Sequence, residues 1–374
     1  MKISIVEANM TEYQHSYPNS IYINILVNIF RRDNVEVYCA EKHFKCMGFQ
    51  KSDISIRHIP IKVVPGNQAM IKKFFYECYN TFKIVKNSGS DLIIFLSSCP
   101  DIQLPLISYM RRKGGPKVII MTHGELEGLL MDGKWKIWSY PFWISRCFKK
   151  RLPSNVFRIV LGKSIKQNLE RLYKEDNIYY IDQPRNGFRE RNDIKPNRYK
   201  NIYGFIGDFL NKKGGATFKK AANAMALSNS EFWIIGSYHE EVGNDIKTFS
   251  KVDEYLEKEK FNGLIEKITY ACFPYPSNSY KLTASGAILD AIRFLKPIIY
   301  IKNDYFDGIF EDSGDIGYRC ENEKEFCNTI ELLDQQADIE RYNLQIKNLK
   351  ALQKKFRQET VSIQLENIMN DLGN

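Results

Sequence analysis

Short apolar runs recur along the chain, and each is followed by a longer segment in which apolar residues return at helical spacing. In the first half, the runs that read as strands are Ile3–Glu7, Val35–Ala40, Ile56–Val63, Leu92–Ser97, Val118–Thr122, Arg158–Leu161 and Ile178–Ile181. Helical stretches fall between them at Ser20–Arg31, Gln68–Lys86, Ile102–Arg112 and Ser164–Tyr173, the last with Ser164 as its expected N-cap. The strands are apolar throughout instead of alternating, which suits a parallel sheet covered by helices on both faces. The strand–helix rhythm predicts an α/β protein with a doubly wound, Rossmann-like sheet.

Residues 185–200, RNGFRERNDIKPNRYK, interrupt this rhythm with a polar, charged stretch. It then restarts with strands at Tyr203–Gly207, Phe232–Ile235, Ile268–Pro274, Pro297–Ile301 and Ile316–Tyr318, and helices at Ala216–Ala226, Val252–Lys260, Ala284–Phe294 and Lys324–Asp334. The reading is therefore an α/β domain over 1–185, a linker over 186–200 and a second α/β domain over 201–338. One or two C-terminal helices over 339–374 carry a stripe of Leu344, Ile346, Leu349, Leu352 and Phe356, and are expected to return to the N-terminal domain.

Composition narrows the function classes. The chain has 374 residues, enough for two cores, with 44% hydrophobic residues and a net charge of +10. A basic surface attracts anions, but no nucleic-acid-binding module is recognisable, so phosphorylated small molecules or anionic lipid are the better partners. The eight cysteines form no C-x-x-C pair, and none stands near a His at zinc-ligand spacing. They read as thiols of a reducing compartment. No signal peptide is evident, and no apolar stretch reaches the roughly 20 residues of a membrane span. The expected location is the cytoplasm, with the inner face of the cell membrane within reach.

In open α/β sheets, ligands bind beyond the carboxyl ends of the strands. Four segments meet that description. GDFLNKKGG, from Gly207 to Gly215, precedes a helix; its glycines, helix-start amides and Lys212 or Lys213 suit a phosphate. Ser285-Gly286 opens another helix, in which Asp290 is placed to accept ribose hydroxyls. His123 follows the strand KVII, where it could position a hydroxyl or carry a proton, with Glu125 beside it. The long polar turn Glu7–Ser20 holds Tyr13, His15 and Asn19.

Taken in order, YGFIGDFLNKKGG, SEFWIIG, FPYPSNSY…SGAILDAIRFLKPIIY and THGELEGLL resemble a retaining GT-B glycosyltransferase of the family 4 kind. The resemblance implies two Rossmann-like domains facing across a cleft, with a nucleotide diphosphate sugar bound mainly by the second. It implies donor contacts from Gly207, Lys212, Lys213, Gly236, Tyr280, Ser285, Gly286 and Asp290, with Lys213 at the diphosphate and Asp290 at the ribose. His123 would be catalytic, beside the transferred sugar, and Tyr13, His15 and Glu125 would serve the acceptor. No cofactor is implied beyond the nucleotide sugar, and no metal. Two positions depart from the pattern: Leu282 stands where a first glutamate is usual, and Asp208 where an arginine follows the first glycine.

Residues 134–151, KWKIWSYPFWISRCFKKR, interleave aromatic and cationic side chains and suit the headgroup zone of an anionic membrane; a core helix with basic ends is the other reading. Pro141 is expected to break a continuous helix there. The function expected is transfer of a sugar to a saccharide or lipid-linked saccharide in surface polysaccharide synthesis. A GT-B-shaped scaffold without turnover, or another GT-B enzyme such as an epimerase or phosphorylase, stays open at this stage.

Overall fold

A computed structural model of the chain describes residues 1–49, 56–64, 70–137, 139–174, 176–239 and 241–373. Gln68, at the head of one expected helix, and Trp138 lie outside the described residues. The chain divides into two compact units. The first is Met1–Pro184 with Leu282–Ala284 and Gln358–Asn374; the second is Arg185–Lys281 with Ser285–Arg357.

The first unit runs β1 (Ile3–Glu7), α1 (Ser16–Phe30), β2 (Val35–Cys39), α2 (Glu41–Cys46), β3 (Arg57–Pro60), α3 (Met70–Asn87), β4 (Leu92–Ser97), α4 (Pro100–Lys113), β5 (Lys117–Met121), α5 (Tyr140–Cys147), β6 (Val156–Val160), α6 (Lys163–Leu172) and β7 (Ile178–Tyr180). The second runs β8 (Ile202–Ile206), α7 (Gly215–Ala224), β9 (Glu231–Ile235), β10 (Ile246–Thr248), α8 (Lys258–Lys267), β11 (Tyr270–Phe273), α9 (Gly286–Arg293), β12 (Ile298–Ile301), α10 (Asp304–Glu311), β13 (Gly317–Cys320), α11 (Glu323–Gln335) and α12 (Ile339–Gln353). The last helix, α13 (Gln358–Gly373), belongs to the first unit.

Both sheets are parallel. The order is β3-β2-β1-β4-β5-β6-β7 in the first unit and β10-β9-β8-β11-β12-β13 in the second. Central strands are buried on both faces: every residue of β1, β2, β4, β11 and β12 is buried. That is the physical reason they read as continuous apolar runs. The first core gathers Ile3, Ile5, Ile94 and Leu96 of the sheet, Tyr22 and Leu26 of α1, and Val361 and Leu365 of α13.

Local differences from the sequence reading have identifiable causes. The N-cap of α6 is Gly162, at φ 146°, so Ser164 sits inside the first turn. Pro141 lies in the first turn of α5, where its missing N–H costs nothing; it starts that helix instead of breaking one. The helix expected from Val252 begins only at Lys258, because Asp253 takes a left-handed φ of 64° and its N–H is spent on the Tyr238 carbonyl at 2.9 Å. The short edge strand β10 and the six-residue helix α2 carried too little pattern to be anticipated; α10 was missed although Tyr305, Phe306 and Ile309 form its buried face and Asn303 caps it. On α12 the buried face is Tyr342, Gln345, Leu349 and Leu352, whereas Leu344 is exposed. Segment 186–200 packs within the second unit: Arg189 N–H donates to the Arg293 carbonyl, and Asn192 Nδ2 to that of Leu295.

Candidate functional site

Strand order reverses once in each sheet, between β8 and β11 and between β1 and β4. At such a reversal the flanking loops diverge to opposite faces and leave a crevice at the carboxyl ends of the strands. The residues singled out in the sequence gather at these two places.

In the second unit, the loop after β8 meets the loop after β11. Gly214 has φ 81°, and a Cβ there would stand 1.8 Å from the Pro274 carbonyl oxygen. Gly236, which ends β9 at φ 153°, would place a Cβ 2.1 Å from the Gly207 carbonyl oxygen. Only glycine lets these backbones approach so closely. Lys213 precedes Gly214, with its ammonium 4.0 Å from Asp208 and its side chain 24% exposed. Desolvation lowers the Lys213 pKa, the Asp208 charge opposes this and Lys212 adds to it. Lys212 itself is exposed.

Asp208 is held in place. Ser237 Oγ donates to its Oδ1 at 2.8 Å, and His239 Nε2 lies 2.8 Å from the same oxygen. The other ring nitrogen of His239 lies 2.6 Å from Asp253 Oδ1. Carboxylate oxygens only accept, so both nitrogens carry protons and the ring is an imidazolium. Its pKa is raised, first by the hydrogen bond to Asp253 and then by that to Asp208. Burial works against the Asp208 charge, but the hydrogen bonds from Ser237 and His239 and the Lys213 charge hold its pKa below the usual value.

Neither α7 nor α9 has a side-chain cap, while α10, α11 and α12 are capped by Asn303, Asn322 and Asp338. Ser285, the N-cap residue of α9, is buried and its hydroxyl makes no capping hydrogen bond. The α9 start therefore offers main-chain amides from Gly286 onward. Arg185 Nη2 donates to the Gly286 carbonyl at 3.2 Å. Asp290, one turn on, is partly exposed and has the Arg293 Nε 3.5 Å from its Oδ1. Tyr280 has a left-handed φ of 56° and stacks on Tyr275 with centroids 4.9 Å apart. Leu282, in the position of the absent glutamate, is fully buried and counts with the first unit, where its N–H donates to Glu127 Oε1 at 2.8 Å.

In the first unit, the reversal is built around Glu7. This buried carboxylate, at the end of β1, accepts from the N–H groups of Asn9 and Met10, from Asn19 Nδ2 and from Ser97 Oγ of β4. His43 donates from Nδ1 to the Glu12 carbonyl and so accepts from Asn19 at Nε2, 3.1 Å away. These bonds hold the loop that carries His15. His15, at φ 55°, lies edge-on to His123 with ring centroids 5.3 Å apart. Desolvation, then repulsion from His123 and His43, lowers the His15 pKa to about 4; its outer side stays exposed, but the ring is neutral at pH 7. His123 Nε2 lies 2.8 Å from the Leu96 carbonyl, which only accepts, so Nε2 carries a proton.

Glu125 turns back to hold the loop. It accepts from the His123 N–H at 2.8 Å and is approached by Gln103 Nε2 at 3.4 Å. The Tyr13 side chain is 79% exposed, and its carbonyl accepts from Ser16. Glu77, Cys99 and Asp101 bring one candidate metal-ligand atom each within 4.8 Å, but Lys73 stands 3.6 Å from Glu77 and already supplies a cation.

The structure thus gathers Gly207, Lys213, Gly236, Ser285 and Gly286 at one reversal, and His15 and His123 at the other. Sequence reasoning missed Glu7, Ser97 and His43 in the first unit, and Ser237, His239, Asp253 and Arg185 in the second. Glu7 closes a strand at the head of a long polar turn, and His239 comes three residues after a strand-ending glycine; those were the available signals.

No protein-family model matches the chain, and no curated protein sequence does. Solved structures match over nearly its whole length. WaaG, a glycosyltransferase involved in lipopolysaccharide biosynthesis, aligns at a TM-score of 0.64 and 11% identity over 98% of this chain and 99% of that one. Anabaena HepE in complex with UDP-glucose aligns at 0.67 and 12% over 99% and 100%. The catalytic domain of Arabidopsis thaliana starch synthase IV, bound to ADP and acarbose, aligns at 0.65 and 9% over the full length of both. The chain has the two-domain parallel-sheet fold of GT-B glycosyltransferases.

Proposed function

We propose that the chain is a glycosyltransferase that takes its sugar from a nucleotide diphosphate sugar bound on the second unit. The observation that carries this reading is Lys213, set beside two glycine-only backbone approaches and near the uncapped starts of α7 and α9 at the reversal between β8 and β11. A desolvated ammonium and fixed amides are suited to the charge that grows on a departing diphosphate. Lys213 would contact the diphosphate, with Lys212 beside it, the amides from Gly286 would contact phosphate oxygens, and Asp290 would take ribose hydroxyls. Gly207 and Gly236 would admit the donor, with Tyr280 at its edge.

His123 would stand at the transferred sugar; His15, Tyr13 and Glu125 would serve the acceptor side. Transfer would retain anomeric configuration and need no metal. The acceptor we favour is a saccharide or lipid-linked saccharide of a surface polysaccharide. Exposure of Trp135 (74%) and Ile137 (61%) beside Lys134 and Lys136 supports contact of residues 134–151 with an anionic membrane. No helix of the described residues is long and apolar enough to cross one.

Calorimetric titration of UDP, GDP, ADP and TDP into the metal-free protein tests the donor reading. Micromolar binding of one nucleotide supports it; no binding of any returns the chain to the scaffold alternative. The anomeric form of the first product, followed by NMR, tests retention.

A further inference from the structure

The described cavity that stands out lies away from both strand-order reversals. It is a groove of about 360 Å³ between α3 and the β2–β3 edge of the first sheet. That volume falls within the roughly 300–1,000 Å³ of small-molecule sites. Ile59, Ile61 and Ile84 line it with three tyrosines, and its charged groups are Lys62 and Lys83; no lining residue is acidic. Lys62 lies over the Tyr76 ring at 4.9 Å, and Lys83 over the Tyr79 ring at 5.5 Å. Neither ammonium is ion-paired among the described residues. The groove therefore matches a ligand that is anionic at one end and apolar along its length.

The outward face of α3 adds an independent observation. Ile71, Phe75 and Tyr79 recur every four residues and are 77%, 65% and 60% exposed. Four-residue spacing puts them in one row, and Lys72, Lys83 and Lys86 are exposed on the same helix. A helix normally turns its apolar side chains inward; the buried face of α3 carries Glu77, Asn80 and Thr81 with Ile84 and Val85, while the apolar row, edged by cations, stays outside. Tyr79 belongs to both the row and the groove.

Topology extends the surface. Each helix of a parallel α/β unit starts at the carboxyl edge of the sheet, and α3 packs on α4, which packs on α5. The first turns of α3 and the loop before α5, which carries Trp135 and Ile137, therefore lie at the same edge of one unit. Aromatic and aliphatic side chains edged by lysines are the chemistry of the interface of an anionic bilayer.

We propose that the α3 groove binds the headgroup of an anionic phospholipid while the outward row Ile71, Phe75 and Tyr79 sits in the membrane surface. The proposal adds a second footprint to the membrane contact suggested for residues 134–151, and it does not depend on sugar transfer.

Flotation of the full chain with phosphatidylcholine vesicles, with and without phosphatidylglycerol, tests it. The expected result is binding at least about tenfold tighter to the phosphatidylglycerol vesicles and weakened by salt. Phe75→Ser/Tyr79→Ser and Lys62→Glu/Lys83→Glu should each lower that affinity by about tenfold or more, while Lys62→Arg/Lys83→Arg retains it. These side chains are exposed, and circular dichroism checks that the variants fold. Equal binding to both vesicles, or full binding by Lys62→Glu/Lys83→Glu, overturns the proposal. If inorganic phosphate or glycerol phosphate binds the free chain as tightly as the vesicle does, the groove serves a soluble anion and the lipid assignment is overturned. Trp135→Ser/Ile137→Ser, run alongside, separates the second footprint from the first. Nucleotide titration of each variant keeps the outcome distinct from the sugar-transfer reading.

Discussion

Replacing Lys213 with methionine removes one cation and keeps most of the stem. In the folded chain that side chain is 24% exposed, and Asp208, 4.0 Å away, is its carboxylate neighbour. A hydrogen bond from a charged donor contributes about 1.5–3 kcal/mol. If Lys213 contacts the diphosphate, Lys213→Met should weaken nucleotide diphosphate binding by roughly 10- to 150-fold. Folding should change little. Asp208 keeps Ser237 and His239, and the substitution also removes the desolvation that lowers the Lys213 pKa. The assay is calorimetric titration of the preferred nucleotide into the wild-type chain, Lys213→Met and Lys212→Met. Lys212 is exposed, so its loss should cost no more than about threefold, the scale of a solvated charge. The reasoning is refuted if Lys213→Met binds within about twofold of the wild type while the wild type binds at micromolar strength.

Asp208→Asn removes a carboxylate from beside Lys213 and should tighten nucleotide diphosphate binding several-fold; unchanged or weaker binding counts against the phosphate site. Gly214→Ala, whose Cβ would meet the Pro274 carbonyl oxygen at 1.8 Å, should destabilise the fold by at least about 3 kcal/mol, read as a lowered denaturation midpoint. Glu7→Gln turns an amide N–H₂ toward groups that already donate, and should cost about 1–3 kcal/mol in the same assay. Burial lowers the pKa of Lys296, which donates to Asn192 and the Glu266 carbonyl, to about 7. The unfolded chain keeps that proton up to about 10.5, so the Lys296 contribution, read as the difference between the wild type and Lys296→Met, should rise by a few kcal/mol as pH rises from about 7 to 10.5, against the opposite trend of the buried thiols. Denaturant melts of both chains across that range check it; a difference that does not change with pH refutes it.

Hydrophobic patterning alone determined that the chain builds two parallel α/β sheets. A strand buried on both faces has to be apolar along its whole length, and a helix covering it has to repeat near every third or fourth residue. Both signals are local and survive in one dimension, which is why β1, β4 and β8 to β9 were legible nearly to the residue. Gly207, Lys213 and Ser285-Gly286 were legible as candidates for a related reason: they follow strands, and ligands gather at strand ends. Short, mostly polar β10 and the left-handed Asp253 left no such signal, because hydrogen bonds to distant residues set them.

Only the tertiary structure decided which strand ends adjoin. Gly214 must be glycine because of Pro274, sixty positions on, and Gly236 because of Gly207. Asp208, out of place when read against an arginine, is held by Ser237, His239 and Lys213, a cluster that no spacing discloses. His15 and His123, more than a hundred residues apart, come into ring contact because β1 and β5 flank β4 in one sheet. Pattern encodes what each segment buries; which polar groups then meet depends on strand order, and strand order is a property of the whole fold.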